Sequence, residues 1–376
     1  MTGERVVLFL GAGASKDFGY PLTSEIFPTI RDELPEHELF PLGSNRKREL
    51  AKTKRLTDYL TRLLPSVFDP DVTLPLITDV LSLVDLLLET GEVALPKMST
   101  AELEDLRTLL EEAVIQVIDA GHAEARTDPA LDRLTDWLLG FTDDDREPAT
   151  VVSTNYDTLV ESVLYEKILF DREAEGVSLG EVVDLGLSWR EHATGKYHET
   201  VHHPPVSPRV RVLKLHGSLS WLKCPLCGFI YVNTTGNIVE QAFREDKIDY
   251  NNTCVCGHGP VRAILVAPSM VRSVRDPNLL TIWRAALEAL RKADEWVIAG
   301  YSLPPEDIAI RSILIRGYHA RLKRPAPRIR VVQPRADPVM EGRYRLLFPD
   351  CEFEYGGFKQ YATSLPKPKR HYALPE

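Results

Sequence analysis

The stretch Val6–Ser15, VVLFLGAGAS, decides the fold. Five apolar residues run without alternation and stop at Gly11-Ala12-Gly13. A strand that is apolar on both faces suits the interior of a parallel sheet, and glycines after it let the backbone approach whatever lies beyond the strand's carboxyl end. Similar short runs recur at Thr150–Ser153, Val210–Leu215, Ile264–Ala267, Trp296–Ala299, Arg328–Val332 and Glu352–Tyr355, with helical periodicity between them. Strands interleaved with helices predict an α/β fold with a doubly wound, mostly parallel sheet.

Two stretches interrupt that pattern. Residues 45–146 contain no strand signal; Leu56–Phe68, Leu74–Thr90 and Thr100–Ala120 repeat apolar residues every three or four positions, with breaks at Pro65, Pro75 and Pro96. An inserted helical subdomain is expected there. Residues 222–260 carry two cysteine pairs around a Thr/Asn/Gly-rich segment and are too few for a core of their own, so a metal-held module is expected. The α/β domain is then assembled from 1–44, 147–221 and 261–376, ending in a loose Pro-rich basic tail from Leu365.

Composition narrows the function classes. The chain has 376 residues, 44% of them hydrophobic, which is ordinary globular usage. Its 45 Lys and Arg against 55 Asp and Glu give a net charge of −10, with no global attraction to nucleic acid or an anionic membrane. The most apolar long stretch, Leu74–Leu88, carries Asp79 and Asp85 and falls short of the roughly 20 residues that span a bilayer, so it reads as a core helix. The first apolar run follows Glu4 and Arg5 and passes straight into a glycine turn, unlike a signal peptide. Four of five cysteines lie within residues 224–256, the spacing of a metal knot in a reduced compartment; cytoplasm is the expected location. The basic run Arg46-Lys47-Arg48 with Lys52, Lys54 and Arg55 has no interleaved aromatics and reads as a solvated helix face. His198, His202 and His203 read as loop residues, and Cys351 as a core residue of the last strand.

Five turns share one edge of the expected sheet. Gly11-Ala12-Gly13-Ala14-Ser15 suits a diphosphate, although Lys16 stands where a dinucleotide fingerprint places a third glycine; a tight structural turn is the alternative. Asn155 and Asp157 in Thr154-Asn155-Tyr156-Asp157 suit ribose or amide contacts, or the capping of the helix that follows. His216 in Leu215-His216-Gly217-Ser218 can exchange a proton near neutral pH. Gly300-Tyr301-Ser302 and Gln333-Pro334 close two later strands. Ligands bind beyond the carboxyl ends of such strands, and five polar or glycine-rich turns there describe one crevice.

The ordered set GAGAS, TNYD, LHGS, a cysteine cluster and GYSL resembles the Sir2 family, the sirtuins and their NAD-consuming relatives, over about residues 5–30, 148–222 and 262–335. The resemblance implies a Rossmann-like sheet. It also implies that Gly11, Ala12, Gly13 and Ser15 hold the NAD diphosphate, with Asn155 and Asp157 at the nicotinamide ribose. His216 is then the catalytic base, Gly300 and Ser302 sit beside the ribose, and Gln333 lies near the adenosine. Deacylating sirtuins continue with an Asp-Phe-Arg element, whereas this chain reads Asp17-Phe18-Gly19. The long helical insertion is similar to that of bacterial Sir2-like NAD hydrolases of phage defence, which implies hydrolysis of NAD to nicotinamide and ADP-ribose. The same resemblance implies a regulated homo-oligomer and fits a HerA-type ATPase partner. A sirtuin-like protein deacylase and an NAD- or ADP-ribose-sensing scaffold are the alternatives.

Cys224, Cys227, Cys254 and Cys256 form two pairs about 26 residues apart. Four thiolates make a closed tetrahedral zinc site with no open position, so a structural zinc ribbon of the sirtuin type is expected. His258 is an alternative fourth ligand, because only one residue separates the second pair.

Overall fold

Runs apolar on both faces can only be satisfied between neighbours, and they pair accordingly. In the computed structural model β1 (Val6–Leu10) lies between β2 (Ala149–Ser153) and β10 (Glu295–Ala299). With β3 (Val183–Asp184), β6 (Val210–Lys214), β11 (Arg328–Gln333) and β12 (Glu352–Tyr355) they form a sheet of order β12-β11-β10-β1-β2-β6-β3, every pair parallel. The chain moves outward from β1 through β2 to the edge strand β3, fills the gap with β6, then returns to the other side of β1 and moves outward again through β10, β11 and β12. This reversal is the Rossmann-like arrangement, and right-handed crossovers place its helices on both faces. The structure describes residues 4–36, 39–40, 46–90, 98–121, 128–140, 147, 149–175, 178–193, 196–233, 254–257, 262–263, 276–305, 307–320 and 325–366. The expected strand Ile264–Ala267 and all of the tail beyond residue 366 lie outside them.

The crossover from β1 to β2 contains a separate compact unit formed by the described residues of 20–121. Its helices are α2 (Thr23–Glu36), α3 (Arg46–Leu63), α4 (Ile77–Thr90) and α5 (Thr100–Ala120), after the short α1 (Ala12–Lys16). α5 packs against the other three and buries Leu103, Leu106, Leu109, Leu110, Ala113 and Ile115, residues spaced around most of its circumference. Its start is fixed by a capping box: the Ser99 side chain accepts from the Glu102 amide, and the Glu102 carboxylate accepts from the Ser99 amide.

The solvated-face reading of the basic run requires a correction at Lys52. Arg46, Lys47, Lys54 and Arg55 are exposed, but Lys52 is buried and paired with Glu112 and Glu49. Asp85 of α4 is likewise buried against Arg107, 2.7 Å away. A helix hemmed in by three others leaves charged side chains no route to water, so each is matched by an opposite charge.

A second sheet was not legible in the sequence. β4 (Trp189–Ala193), β5 (Lys196–His202), β7 (Trp221–Lys223), β8 (Ile230–Asn233) and β9 (Arg262–Ala263) pair in the order β5-β4-β8-β7-β9. It places His198 and His202 on a strand instead of in a loop, and His203 directly after it. The remaining helices are α6 (Pro129–Leu138), α7 (Leu159–Glu175), α8 (Leu179–Val182), α9 (Pro277–Lys292), α10 (Ile308–His319), α11 (Pro338–Leu347) and α12 (Gly357–Ser364). α12 packs against α6, α1 and β11.

Because Leu110 is fully buried at the centre of the helical unit, Leu110→Ala should cost about 2–5 kcal/mol of that unit's stability. Chemical denaturation followed by hydrogen exchange across residues 20–121 measures it, and an unchanged midpoint would place α5 outside any core.

Candidate functional site

The two glycine-rich turns are built into each other. Gly11 N–H donates to Ala299 O (3.0 Å) and Gly13 N–H to Gly300 O (2.8 Å). Gly300 has a φ of +62°, and a Cβ there would lie 1.9 Å from the Ala14 nitrogen. On Gly11 a Cβ would lie 2.7 Å from Gly300 O, and on Gly13 2.9 Å from Gly300 Cα. These glycines are therefore required by backbone-to-backbone contact at the point where the strand order reverses, before any ligand is considered.

Asn155 completes the junction. Its Nδ2 donates to Gly11 O (3.0 Å) and to Ser15 Oγ (3.0 Å), so both amide protons hold the first turn in place. Asp157 Oδ1 accepts from the Leu159 amide (3.1 Å) at the start of α7, the capping role open to it from sequence. Gln333 Nε2 donates to Tyr301 O (3.2 Å), and Tyr344 Oη donates to the same carbonyl (2.7 Å). Ser302 is exposed. Thus Gly11, Gly13, Ser15, Asn155, Gly300 and Gln333 form one connected set along the carboxyl ends of β2, β1, β10 and β11, with Ala12 starting α1 beside them.

His216 lies just past the end of β6, buried at 9% exposure. Its Nδ1 is 3.0 Å from Thr154 O. A carbonyl can only accept, so Nδ1 carries the proton and the neutral ring leaves Nε2 with an open lone pair. The rings of Tyr156 and Trp283 lie 6.0 and 6.4 Å from the imidazole, centroid to centroid. Burial pushes its pKa below the ordinary 6.5, against the opposing field of Asp307 and the Thr154 hydrogen bond. A neutral, singly tethered imidazole just past the carboxyl end of β6 is equipped to take a proton.

Beneath His216 sits a buried polar network that none of the sequence motifs announces. Lys214, 2% exposed, pairs with Glu161 (3.1 Å) and donates to the Asp157 carbonyl. Ser218 Oγ donates to Glu161 Oε1 (2.6 Å). These contacts tie the end of β6 to the start of α7, and thereby His216 to Asp157. The signal in the sequence was a lysine closing the otherwise apolar run VLKL, 212–215.

The four cysteines converge on a separate knuckle in the second sheet. Cys224, Cys227, Cys254 and Cys256 place their sulfurs within 4.8 Å of one another, with Cys224–Cys256 at 3.7 Å and Cys227–Cys254 at 3.5 Å. A disulfide needs about 2.05 Å. Tetrahedral zinc with Zn–S bonds of about 2.3 Å sets its sulfurs about 3.8 Å apart, so the donor set fits zinc. Tyr231 Oη accepts from the Val255 amide (3.1 Å) and lies 3.1 Å from Cys254 Sγ, in place to donate to it. Burial raises the Cys224 thiol, but the backbone amides of Cys227 and Leu226 and the hydrogen bonds of the Cys227 and Cys254 thiols together outweigh it and bring it down to about 7. His258 lies outside the described residues.

A cavity of about 300 Å³ lined by Asp184, Gly186, Arg211, Glu288 and Lys292 contains none of the motif residues. Among the described residues no helix is long and apolar enough to cross a membrane.

No protein-family model matches the chain, and no curated protein matches it. Among solved structures it aligns over 96% of its length with a Sir2 homologue in complex with NAD, at 14% identity, 87% coverage of that chain and a TM-score of 0.41. It also aligns over 96% of its length with Sir2 bound to a p53 peptide and NAD⁺, at 13% identity, 90% coverage of that chain and a TM-score of 0.34. The chain superposes only loosely on these structures.

Gly300→Ala should fail to accumulate as folded protein or lose several kcal/mol, because strain at positive φ adds to a backbone collision. Thermal unfolding measures this; a variant as stable as the parent would detach the two turns from each other. Metal analysis of protein purified without chelators should find about one zinc per chain, and Cys254→Ser should lose it together with order in the second sheet. Absence of zinc from the parent would reject the site.

Proposed function

We propose that the chain is an NAD glycohydrolase. The observation that carries this reading is the buried His216, tethered through Nδ1 with Nε2 open, beside a crevice whose other turns resemble those of NAD-consuming enzymes in kind and order. The substrate's diphosphate would lie over the Gly11–Ser15 turn, its nicotinamide ribose towards Asn155 and Asp157, and its adenosine towards Gln333. Gly300 and Ser302 would border the ribose.

The chemistry balances with water alone. The glycosidic bond between C1′ and the nicotinamide nitrogen breaks, nicotinamide leaves with the electron pair, and the sugar passes through an oxocarbenium-like state. A water oxygen bonds to C1′, and its proton goes to Nε2 of His216. The products are nicotinamide, ADP-ribose and one proton. Asn155 acts by holding the turn that receives the substrate, since both its amide protons are committed to Gly11 and Ser15. Hydrolysis by this route depletes NAD, which fits a regulated role in bacterial antiphage defence, carried out by a homo-oligomer with or without a HerA-type ATPase. Zinc, when bound by the four thiols, supplies structural cross-linking only.

A second reading, NAD-dependent protein deacylation, draws on the four-thiol knuckle, which resembles the zinc ribbon of sirtuins. In that case an acyl oxygen replaces water at C1′.

The deciding measurement is product analysis of pure protein with NAD. Nicotinamide and ADP-ribose should appear in equal amounts without peptide, and His216→Ala should lower the rate by about 10²–10⁴-fold at unchanged folding. Release only with an acyl-lysine peptide selects the deacylase, and binding without release selects a sensor. Since the folded-state pKa of His216 is depressed below 6.5, the neutral base predominates at pH 6.5 and the acid limb of kcat/KM should lie below that value. The same depression means that stability present above about pH 6.5 is lost as pH falls towards the folded pKa.

A further inference from the structure

Trp283 belongs to none of the strand-end turns, yet it reaches the same imidazole. It sits on α9, and its Nε1–H donates to the Leu215 carbonyl at 2.9 Å, the peptide immediately before His216. Its ring centroid is 6.4 Å from that of His216. Directly after His216, Gly217 turns the chain with a φ of +82°. The imidazole therefore hangs on a short piece of backbone past the end of β6, fixed on one side by the indole and through Nδ1 by Thr154. Leu215 is fully buried, so without the indole its carbonyl would have to find another donor or stay unsatisfied.

The other end of the lever is the knuckle. α9 begins at an Asp276 N-cap, whose Oδ1 accepts from the Asn278 amide at 2.9 Å, and Asp276 also pairs with Lys223. Asn278 Nδ2 donates to the Gly228 carbonyl at 2.9 Å, one residue beyond Cys227. From Asn278 to Trp283 the helix rises only about 7–8 Å, too short a span to bend appreciably. One rigid turn and a half of helix thus joins the four-cysteine knuckle to the backbone of His216.

The geometry points to Trp283 as a positioning residue for the base, and to Asn278 as the contact by which the cysteine knuckle sets that position. This inference rests on the hydrolase reading for its kinetic consequences but not for its structural ones. It gives the knuckle a part in catalysis without any contact between its ligands and substrate: it fixes the start of α9, α9 fixes the Leu215 peptide, and that peptide aims Nε2. Misplacing a catalytic group by about 1 Å can cost 10²-fold in rate, so a single indole hydrogen bond suffices for a measurable effect.

Trp283→Phe keeps a flat ring beside the imidazole and removes the N–H donor together with the five-membered half of the indole. It should lower kcat about tenfold with KM for NAD within twofold, and ¹⁵N-histidine spectra should show His216 leaving its single Nδ1–H tautomer. Asn278→Ala should retain zinc, shift the His216 resonances in the same direction and lower kcat about threefold. Wild-type kcat and unmoved His216 resonances in folded Trp283→Phe would overturn the proposal, as would a fall in kcat with the resonances in place. Unmoved resonances in zinc-loaded Asn278→Ala would remove the knuckle from the arrangement. If His216→Ala itself keeps turnover, the assignment of His216 as the base falls, and if the parent releases no nicotinamide from NAD the hydrolase reading falls; in either case the His216 resonances of Trp283→Phe alone decide whether the indole holds the ring.

Discussion

Everything at the crevice depends on two peptide units lying closer together than side chains permit. Gly13 donates to Gly300 across the reversal point, and Gly300 occupies a conformation whose Cβ would overlap the Ala14 nitrogen. Once those turns are nested, β1 and β10 are locked in register, and their carboxyl ends present main-chain groups where a side chain would otherwise stand. Asn155 then spends both amide protons on the same turn. The glycines that suggest a phosphate site are thus demanded by the protein's own packing, and bare backbone at the ends of β1 and β10 follows from that requirement.

A buried ion pair stabilises the other half of the site. Removing a lysine and a glutamate from water carries a desolvation cost that packing alone does not repay. Lys214 and Glu161 offset it with contacts to the Asp157 carbonyl and Ser218. An apolar pair of the same volume would fill the space without fixing an angle. The charged pair fixes where α7 starts relative to the end of β6, and so where His216 stands relative to Thr154.

The sheet was legible because its strands are apolar on both faces and end at turns. Val6–Leu10, Ala149–Ser153 and Glu295–Ala299 announce themselves by composition alone. α5 was legible to the residue from the three- and four-residue spacing of its apolar side chains and the break at Pro96. The second sheet was not. Trp189–Ala193 and Lys196–His202 mix charged and aromatic residues; they pair antiparallel with each other, while β4 also pairs parallel with β8, about forty residues further along the chain. The thiol spacing signalled the four-cysteine cluster but not the sheet carrying it. Trp283 was invisible for a different reason: it acts through a carbonyl, and a backbone acceptor leaves no trace in the residue alphabet. Lys52 misled because an amphipathic pattern cannot tell water from a facing glutamate.

The helical unit lies within the crossover between the two central strands, so Gly11 and Asn155, in direct contact, are separated by 144 positions. A chain leaving the ribosome must hold β1 unpaired on that side while the whole insertion is made. A simple crossover of about 35 residues would let the two strands meet far earlier; the longer loop adds roughly 1 kcal/mol of closure entropy if it stays unstructured. Folding of the insertion first would remove most of that penalty by shortening the free chain. The order of synthesis thus favours a helical core that forms before the sheet it interrupts, and the capping box at Ser99, satisfied by residues only three apart, needs nothing downstream to begin.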